Sequence, residues 1–259
     1  MPVLDRFRLD GKRLFITGGS RGLGREMALA IAEAGADVVL VGRDPISLEK
    51  TAADVRALGR QSWPLRADAA VPEECERVCR EALSLGPIDI LINNIGGRRV
   101  NVPIEEETLE VWREMMDLNL TATFICTRLI GGAMLAGGRG GRVINIASIS
   151  GLIANRGIGG RHYETAKAAV LQFTRATAAD WAPHGVTVNA ILPGMFMTEP
   201  NQRWAREQPA VITAARAQIP IGDFGRPEDL GPLAVYLACD ASRYMTGAAL
   251  VIDGGYTLW

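Results

Sequence analysis

"HYETAK", residues 162–167, sets Tyr163 and Lys167 four positions apart. On a helix such a pair shares one face, about one turn apart. A free phenol has a pKa near 10 and is a poor acid or base at neutral pH. A nearby ammonium favours the phenolate and lowers that value. A tyrosine so tuned can give or take a proton during a reaction. An isolated Y-x-x-x-K also occurs on ordinary surface helices, so its meaning depends on what else the chain carries.

A second stretch with a chemical use is "TGGSRGLG", residues 17–24, between the apolar run "RLFIT" and a helical pattern. Glycines permit a tight turn and close backbone approach, and a helix N-terminus offers N–H groups to a pyrophosphate. The spacing Gly18, Gly22, Gly24 differs from the general G-x-G-x-x-G fingerprint, yet the physics is the same. NAD binding requires a carboxylate at the end of the second strand. Here that strand ends "VLVGRD": Gly42 at the tip, then Arg43, with Arg21 in the glycine loop. Two guanidinium groups suit a 2′-phosphate through charge-assisted, bidentate bonds, so the expected cofactor is NADP(H) rather than NAD(H). Asp44 reads as the cap of the next helix.

The elements that must hold these residues alternate along the chain. Short apolar runs at 13–17, 37–42, 62–68, 88–94, 141–148, 186–192 and 249–255 read as strands. They are apolar on both sides, as in a parallel sheet covered on each face. Helical periodicity fills 25–35, 45–59, 72–86, 108–130, 163–183 and 227–239. The pattern predicts an α/β fold, one doubly wound parallel sheet with helices on both faces, as a single domain over 1–259. The stretch 195–222, with Trp204, Pro209 and Pro220, breaks the rhythm and reads as a long irregular lid or binding loop.

The bulk properties exclude several classes. The 259 residues are 48% hydrophobic, enough for a sizeable core. The net charge of -1 gives no concentrated basic face, so no nucleic-acid partner is expected. The apolar runs are short and interrupted, so no membrane span is expected. The N-terminus lacks a signal-peptide core. Of the four cysteines, Cys75 and Cys79 share a helical face, but no second pair or nearby histidine completes a metal set, so no metal is expected. All four read as reduced thiols of a cytoplasmic protein.

With "TGGSRGLG", "LINNIGG", "NIAS", "YETAK" and "PGMFMT" in this order, the chain resembles the short-chain dehydrogenase/reductase family from Gly11 to Trp259. The resemblance implies roles by position. Tyr163 is the acid/base, Lys167 holds the nicotinamide ribose, Ser148 binds the substrate carbonyl, and Asn119 helps hold a relay water. It implies Gly18, Arg21, Gly22, Leu23 and Gly24 around the pyrophosphate and ribose. Asp68 would lie at the adenine, and Asn94 and Gly96 near the cofactor ribose. Pro193, Gly194 and Thr198 would flank the carboxamide. The implied assembly is a homotetramer, for which the apolar helices 108–130 and 163–183 and the terminal Leu258 and Trp259 give a physical motive. Ile95 stands where the family has alanine. Ser150 rivals Ser148, because the Ser148–Tyr163 gap is about two residues longer than usual in the family. The glycine-rich 151–162 loop carries Arg156 and Arg161 and could reshape the pocket.

Arg98 and Arg99, in "GGRRVN" after the fourth strand, could pair with a substrate carboxylate. Sugar-acid dehydrogenases such as gluconate 5-dehydrogenase look similar there. Trp204 could wall the pocket. His162, beside Tyr163, points elsewhere on a helix and reads as structural. The expected reaction interconverts a small polar ketone, such as a sugar acid, and its secondary alcohol. The alternatives are a 3-oxoacyl-acyl-carrier-protein reductase and a catalytically silent dinucleotide sensor.

Overall fold

Leu14, Phe15 and Ile16 are all fully buried although side chains alternate along a strand, so both faces of β1 (Arg13–Thr17) are covered. The computed structural model describes residues 2–155 and 158–258, apart from the side chains of Pro200 and Trp204. In it β1 is central to one seven-stranded sheet. The others are β2 (Asp37–Gly42), β3 (Ser62–Arg66), β4 (Ile90–Asn93), β5 (Gly141–Ile146), β6 (Val186–Pro193) and β7 (Ala249–Ile252). The order is β3-β2-β1-β4-β5-β6-β7, with every pairing parallel. This is the doubly wound α/β architecture that the alternation predicts. The order reverses between β1 and β4, which opens a crevice at their C-terminal ends.

The two faces have separate cores. Leu14 and Ile16 pack with α1 (Gly22–Glu33), α2 (Pro45–Ala57) and α8 (Gly231–Ala238). Phe15 and Leu91 face α3 (Pro72–Ser84), α4 (Leu109–Gly137) and α5 (Arg161–Trp181). The predicted strands and most helices are found within a few residues of their expected ends.

Three expectations need correction. The helix expected to end at 130 runs on to Gly137. Gly131 is not a stop: the Trp181 ring lies where its Cβ would stand, so the glycine is a notch for α5. The helix ends at Gly138, in the left-handed region. As one 29-residue helix with a window of mean hydropathy 1.4, α4 is long and apolar enough to cross a membrane by length and composition, contrary to the sequence reading. Its Leu118, Ile125 and Ile130 are instead buried in the protein. Finally, 195–222 is not irregular: it forms α6 (Glu199–Glu207) and α7 (Pro209–Arg216). Pro209 begins the second helix, where its missing N–H costs nothing.

Candidate active site

A cavity of about 1550 Å³ runs across the C-terminal ends of the strands. Pockets for drug-sized ligands span roughly 300–1,000 Å³, so there is room for a dinucleotide and a further small molecule. Gly18, Arg21, Gly22, Leu23, Gly24 and Arg43 line one end. Ser148, Tyr163, Lys167, Pro193 and Gly194 line the other, and Thr198 stands 3.9 Å from where a Gly22 Cβ would lie.

At the first end the backbone does the work. A Cβ on Gly24 would run into the Gly18 carbonyl and stand 2.5 Å from Asn94 Nδ2, so only glycine lets α1 approach the turn. Asn94 braces that turn. Its Nδ2 donates to Thr17 O at 2.9 Å and Gly18 O at 3.2 Å, and its N–H donates to Thr17 Oγ1 at 3.1 Å. Asn94 thus lines the cavity while spending its amide on the glycine loop. Ile95 also donates its N–H to Thr17 Oγ1, and its side chain packs against the second core.

Asp44 caps α2 as expected, accepting from the N–H groups of Ile46 and Ser47. The Ser47 side chain first, then the Ser47 and Ile46 N–H groups, hold its carboxyl below the usual carboxylate range. It is therefore occupied, leaving the strand end to Arg43, whose side chain is half exposed and touches Asp68 at 3.4 Å. Asp68 is directed to Arg43 and to the Ala70 N–H. Its neighbours Ala67 and Ala69, rather than Asp68 itself, line the cavity. Arg21 makes no ion pair among the described residues and lines the same end.

At the other end four elements converge. Asn119 lies in a π-helical turn of α4, Asp117–Thr121, a distortion that recurs at functional sites. Its Oδ1 accepts from the Gly97 N–H at 2.9 Å; its Nδ2 donates to Gly97 O at 3.2 Å and Met115 O at 3.0 Å. The loop after β4 is thereby fixed to α4. Gly96 is wedged there: a Cβ would come 2.8 Å from both Asn119 Oδ1 and Lys167 Nζ. Lys167 is buried and donates to Ile146 O at 2.8 Å. Burial lowers its pKa to about 8.

Tyr163 behaves differently from the sequence expectation. Burial dominates and pushes its phenol above the usual value, against the Ser148 hydroxyl and the Arg98 charge, which favour the phenolate. The Lys167 ammonium lies 5.8 Å from the ring centroid and is directed at a carbonyl, so Arg98 is the nearer cation.

The two serines line the same cavity but have different partners. Ser148 Oγ accepts from the Ser150 N–H at 3.1 Å and interacts with Tyr163. Ser150 Oγ is taken by Asn155 Nδ2 at 2.8 Å. Arg98 forms a bidentate pair with Glu164 at 2.8 and 3.3 Å and its guanidinium carbon stands 4.7 Å above the Tyr163 ring. It is therefore already committed. Arg99 lines the cavity and forms no ion pair among the described residues. His162 is fully buried and bonds Glu107, away from the phenol. The Trp204 side chain, Arg156 and Trp259 lie outside what the structure describes.

The sequence reading missed Glu164, which sits in plain view beside Tyr163, and Asn155, which carries no signal of its own. It also missed that Cys126 of α4 joins Cys75 and Cys79 in the core. The sulfur separations are 3.4 and 3.6 Å to Cys126, and the three Sγ atoms lie within 4.8 Å of one another. Only the packing of α3 on α4 brings them together.

A phenol and a hydroxyl at one end of such a crevice can exchange a proton with a carbonyl or carbinol oxygen, but they cannot move a hydride. A dinucleotide anchored in the glycine cradle and reaching to the phenol would supply it, which fits the doubly wound, dinucleotide-dependent oxidoreductases. The comparisons agree. Residues 18–257 match the family described as enoyl-(acyl carrier protein) reductase. The chain is 37% identical to galactitol 2-dehydrogenase (L-tagatose-forming) of Cereibacter sphaeroides, covering 98% of each chain. It is 35% identical to gluconate 5-dehydrogenase of Gluconobacter oxydans (strain 621H), again over 98% of each. Its fold matches the crystal structure of a putative NAD(P)-dependent gluconate 5-dehydrogenase from Beutenbergia cavernae with bound NADP. There the TM-score is 0.91 and the identity 36%, over 98% of this chain and all of that one. The chain belongs to the short-chain dehydrogenase/reductase family.

Proposed function

We propose that this protein is an NADP(H)-dependent oxidoreductase that interconverts a ketone and a secondary alcohol on a small polyhydroxylated compound, such as a sugar acid. The observation that carries the reading is the convergence of Ser148, Tyr163, Lys167 and Asn119 at one end of a cavity whose other end is a glycine cradle flanked by Arg21 and Arg43. The glycine turn and the first residues of α1 line the cavity, which suits a pyrophosphate. The two guanidinium groups suit a 2′-phosphate, and the NADP in the Beutenbergia cavernae protein supports this choice.

In this reading Gly18, Gly22, Leu23 and Gly24, braced by Asn94, hold the pyrophosphate, and Lys167 stands toward the nicotinamide end with Gly96, Pro193, Gly194 and Thr198. The cofactor supplies or accepts the hydride. Ser148 orients the carbonyl oxygen by hydrogen bonding. Tyr163 delivers the proton to that oxygen, and takes it back in the reverse direction. Asn119 keeps the Gly96–Gly97 loop out of the reacting space. Arg99, rather than the engaged Arg98, meets a substrate carboxylate. The 195–222 segment contributes Met195, Val211 and Ile212 to the cavity wall and covers the substrate. The assembly is a homotetramer.

The test is initial rates with D-gluconate, galactitol and a 3-oxoacyl thioester, each with both nicotinamide cofactors in the matching redox state. The expected result is NADP(H)-linked turnover of a polyhydroxy compound. Fastest turnover of the thioester overturns the substrate class. Tight NADPH binding with no turnover of any ketone or alcohol in a wider panel favours the sensor.

A further inference from the structure

The ion pair beside the phenol has no role in the mechanism above. Arg98, on the loop after β4, has a side chain only 14% exposed, and its Glu164 partner is 12% exposed. Four hydrogen bonds fix the guanidinium: two to the Glu164 carboxylate, and two from Nη1 to the carbonyls of Gly159 at 2.6 Å and Gly160 at 3.3 Å. Glu164 Oε1 also accepts from Arg161 Nη1 at 3.1 Å, and from Asn155 through Nδ2 at 3.4 Å and N–H at 3.5 Å. Asn155, Gly159 and Gly160 are thus tied, directly or through Arg98, to the residue after the phenol. The result is a cation held over the Tyr163 ring, its guanidinium carbon 4.7 Å from the centroid.

We propose that Arg98 is a positioning residue for the proton-transfer step, held by Glu164 as a permanent cation on the face of Tyr163, so that the pair sets how readily the phenol releases its proton. The proposal rests on Tyr163 being the acid/base. A cation over an aromatic face is favourable by electrostatics, and it also lowers the cost of a negative oxygen on the same ring. Arg98 does this better than Lys167 for two reasons. It lies 4.7 Å from the ring centroid against 5.8 Å. A guanidinium also stays charged at every pH at which the protein is folded, whereas burial lets Lys167 lose its proton near pH 8. Glu164 acts in two opposing ways: its charge disfavours the phenolate, while its hydrogen bonds keep Arg98 in place. Among the described residues, the charged groups facing the phenol are Lys167 of its own helix, Arg98 and Glu164, with Arg161 behind Glu164. His162 points to Glu107 instead.

The opposed signs give the test. The phenol of Tyr163 is titrated in the full chain by the ultraviolet tyrosinate difference between each protein and the same protein carrying Tyr163→Phe. The pH profile of kcat is measured in parallel. Arg98→Met keeps an apolar stem over the ring and should raise the midpoint by about one pH unit. Arg98→Lys should recover part of that shift. Glu164→Gln keeps an acceptor for Arg98 and should lower the midpoint. Thermal unfolding and NADPH binding confirm that each variant is folded. If Arg98→Met and Glu164→Gln reduce kcat equally at all pH values and leave both midpoints in place, the pair is structural and the proposal falls. If Tyr163→Phe itself keeps near-normal turnover, it is the acid/base reading that fails.

Discussion

The two ends of the cavity are built by different physics. The nucleotide end is made by consecutive residues: a strand, a glycine turn and a helix N-terminus within 17–24, plus Arg43 at the next strand end. Its requirements are mainly local and steric, as the Gly18 carbonyl in the way of a Gly24 Cβ shows, with one distant brace from Asn94 to Thr17 and Gly18. The chemical end is made of side chains drawn from α4, β5, α5 and the loops after β4 and β5, joined by bonds that span up to 66 positions, as between Arg98 and Glu164. A local device tolerates change elsewhere in the molecule, whereas an assembled one depends on every element that feeds it. The first half should therefore respond to substitution through cofactor affinity alone, and the second through turnover.

The largest effect tests the chemical end. Tyr163→Phe should lower turnover by at least ~10²-fold, the lower bound of general acid–base contributions, with NADPH affinity nearly unchanged in a fluorescence titration. Ser148→Ala should also be severe and Ser150→Ala mild, because Ser150 serves Asn155. Equal losses for the two serines would erase the distinction between them.

At the nucleotide end the expected effect is smaller. Arg43→Ala should weaken NADPH binding by about ten- to a hundredfold, the worth of a charge-assisted contact, and leave NADH binding and kcat at saturation almost unchanged. A matched loss for both cofactors would show that Arg43 does not read the 2′-phosphate.

Lys167 is buried at the chemical end, and it should cost stability. Its folded pKa of about 8 lies below the ordinary 10.5, so the unfolded chain binds more protons between those values. This group's contribution to stability therefore rises as pH climbs from about 8 to 10.5, and below 8 the full burial penalty applies. Lys167→Met should raise Tm by a few degrees at pH 7 and by less at pH 10 while abolishing activity. A Tm that falls equally at both pH values would contradict this account.

The smallest expected effect concerns assembly. Phe124 is half exposed on α4 and meets Phe173 of α5 edge-on at 6.4 Å, an apolar patch on the two helices proposed to form a subunit contact. Phe124→Glu should shift light scattering toward smaller species, with activity falling only as far as the pocket depends on a neighbour. A fully active monomeric wild type at assay concentration would remove the tetramer.

By itself the sequence determined the parallel sheet, the glycine cradle, the cap at Asp44 and the grouping of Tyr163 with Lys167. Each depends on periodicity or on neighbours within one turn or one strand end, where spacing dictates geometry. Tertiary structure decided what spacing cannot carry. It ran α4 through Gly131 because Trp181 needed the notch, and folded 195–222 into two helices. It paired Ser150 with Asn155, gathered three cysteines in the core, and turned Arg98 from a free cation into the partner of Glu164. In each case a contact between residues distant in sequence outweighed the local preference, because burial makes an unpaired charge or polar group, or an unfilled space, costlier than a departure from local propensity.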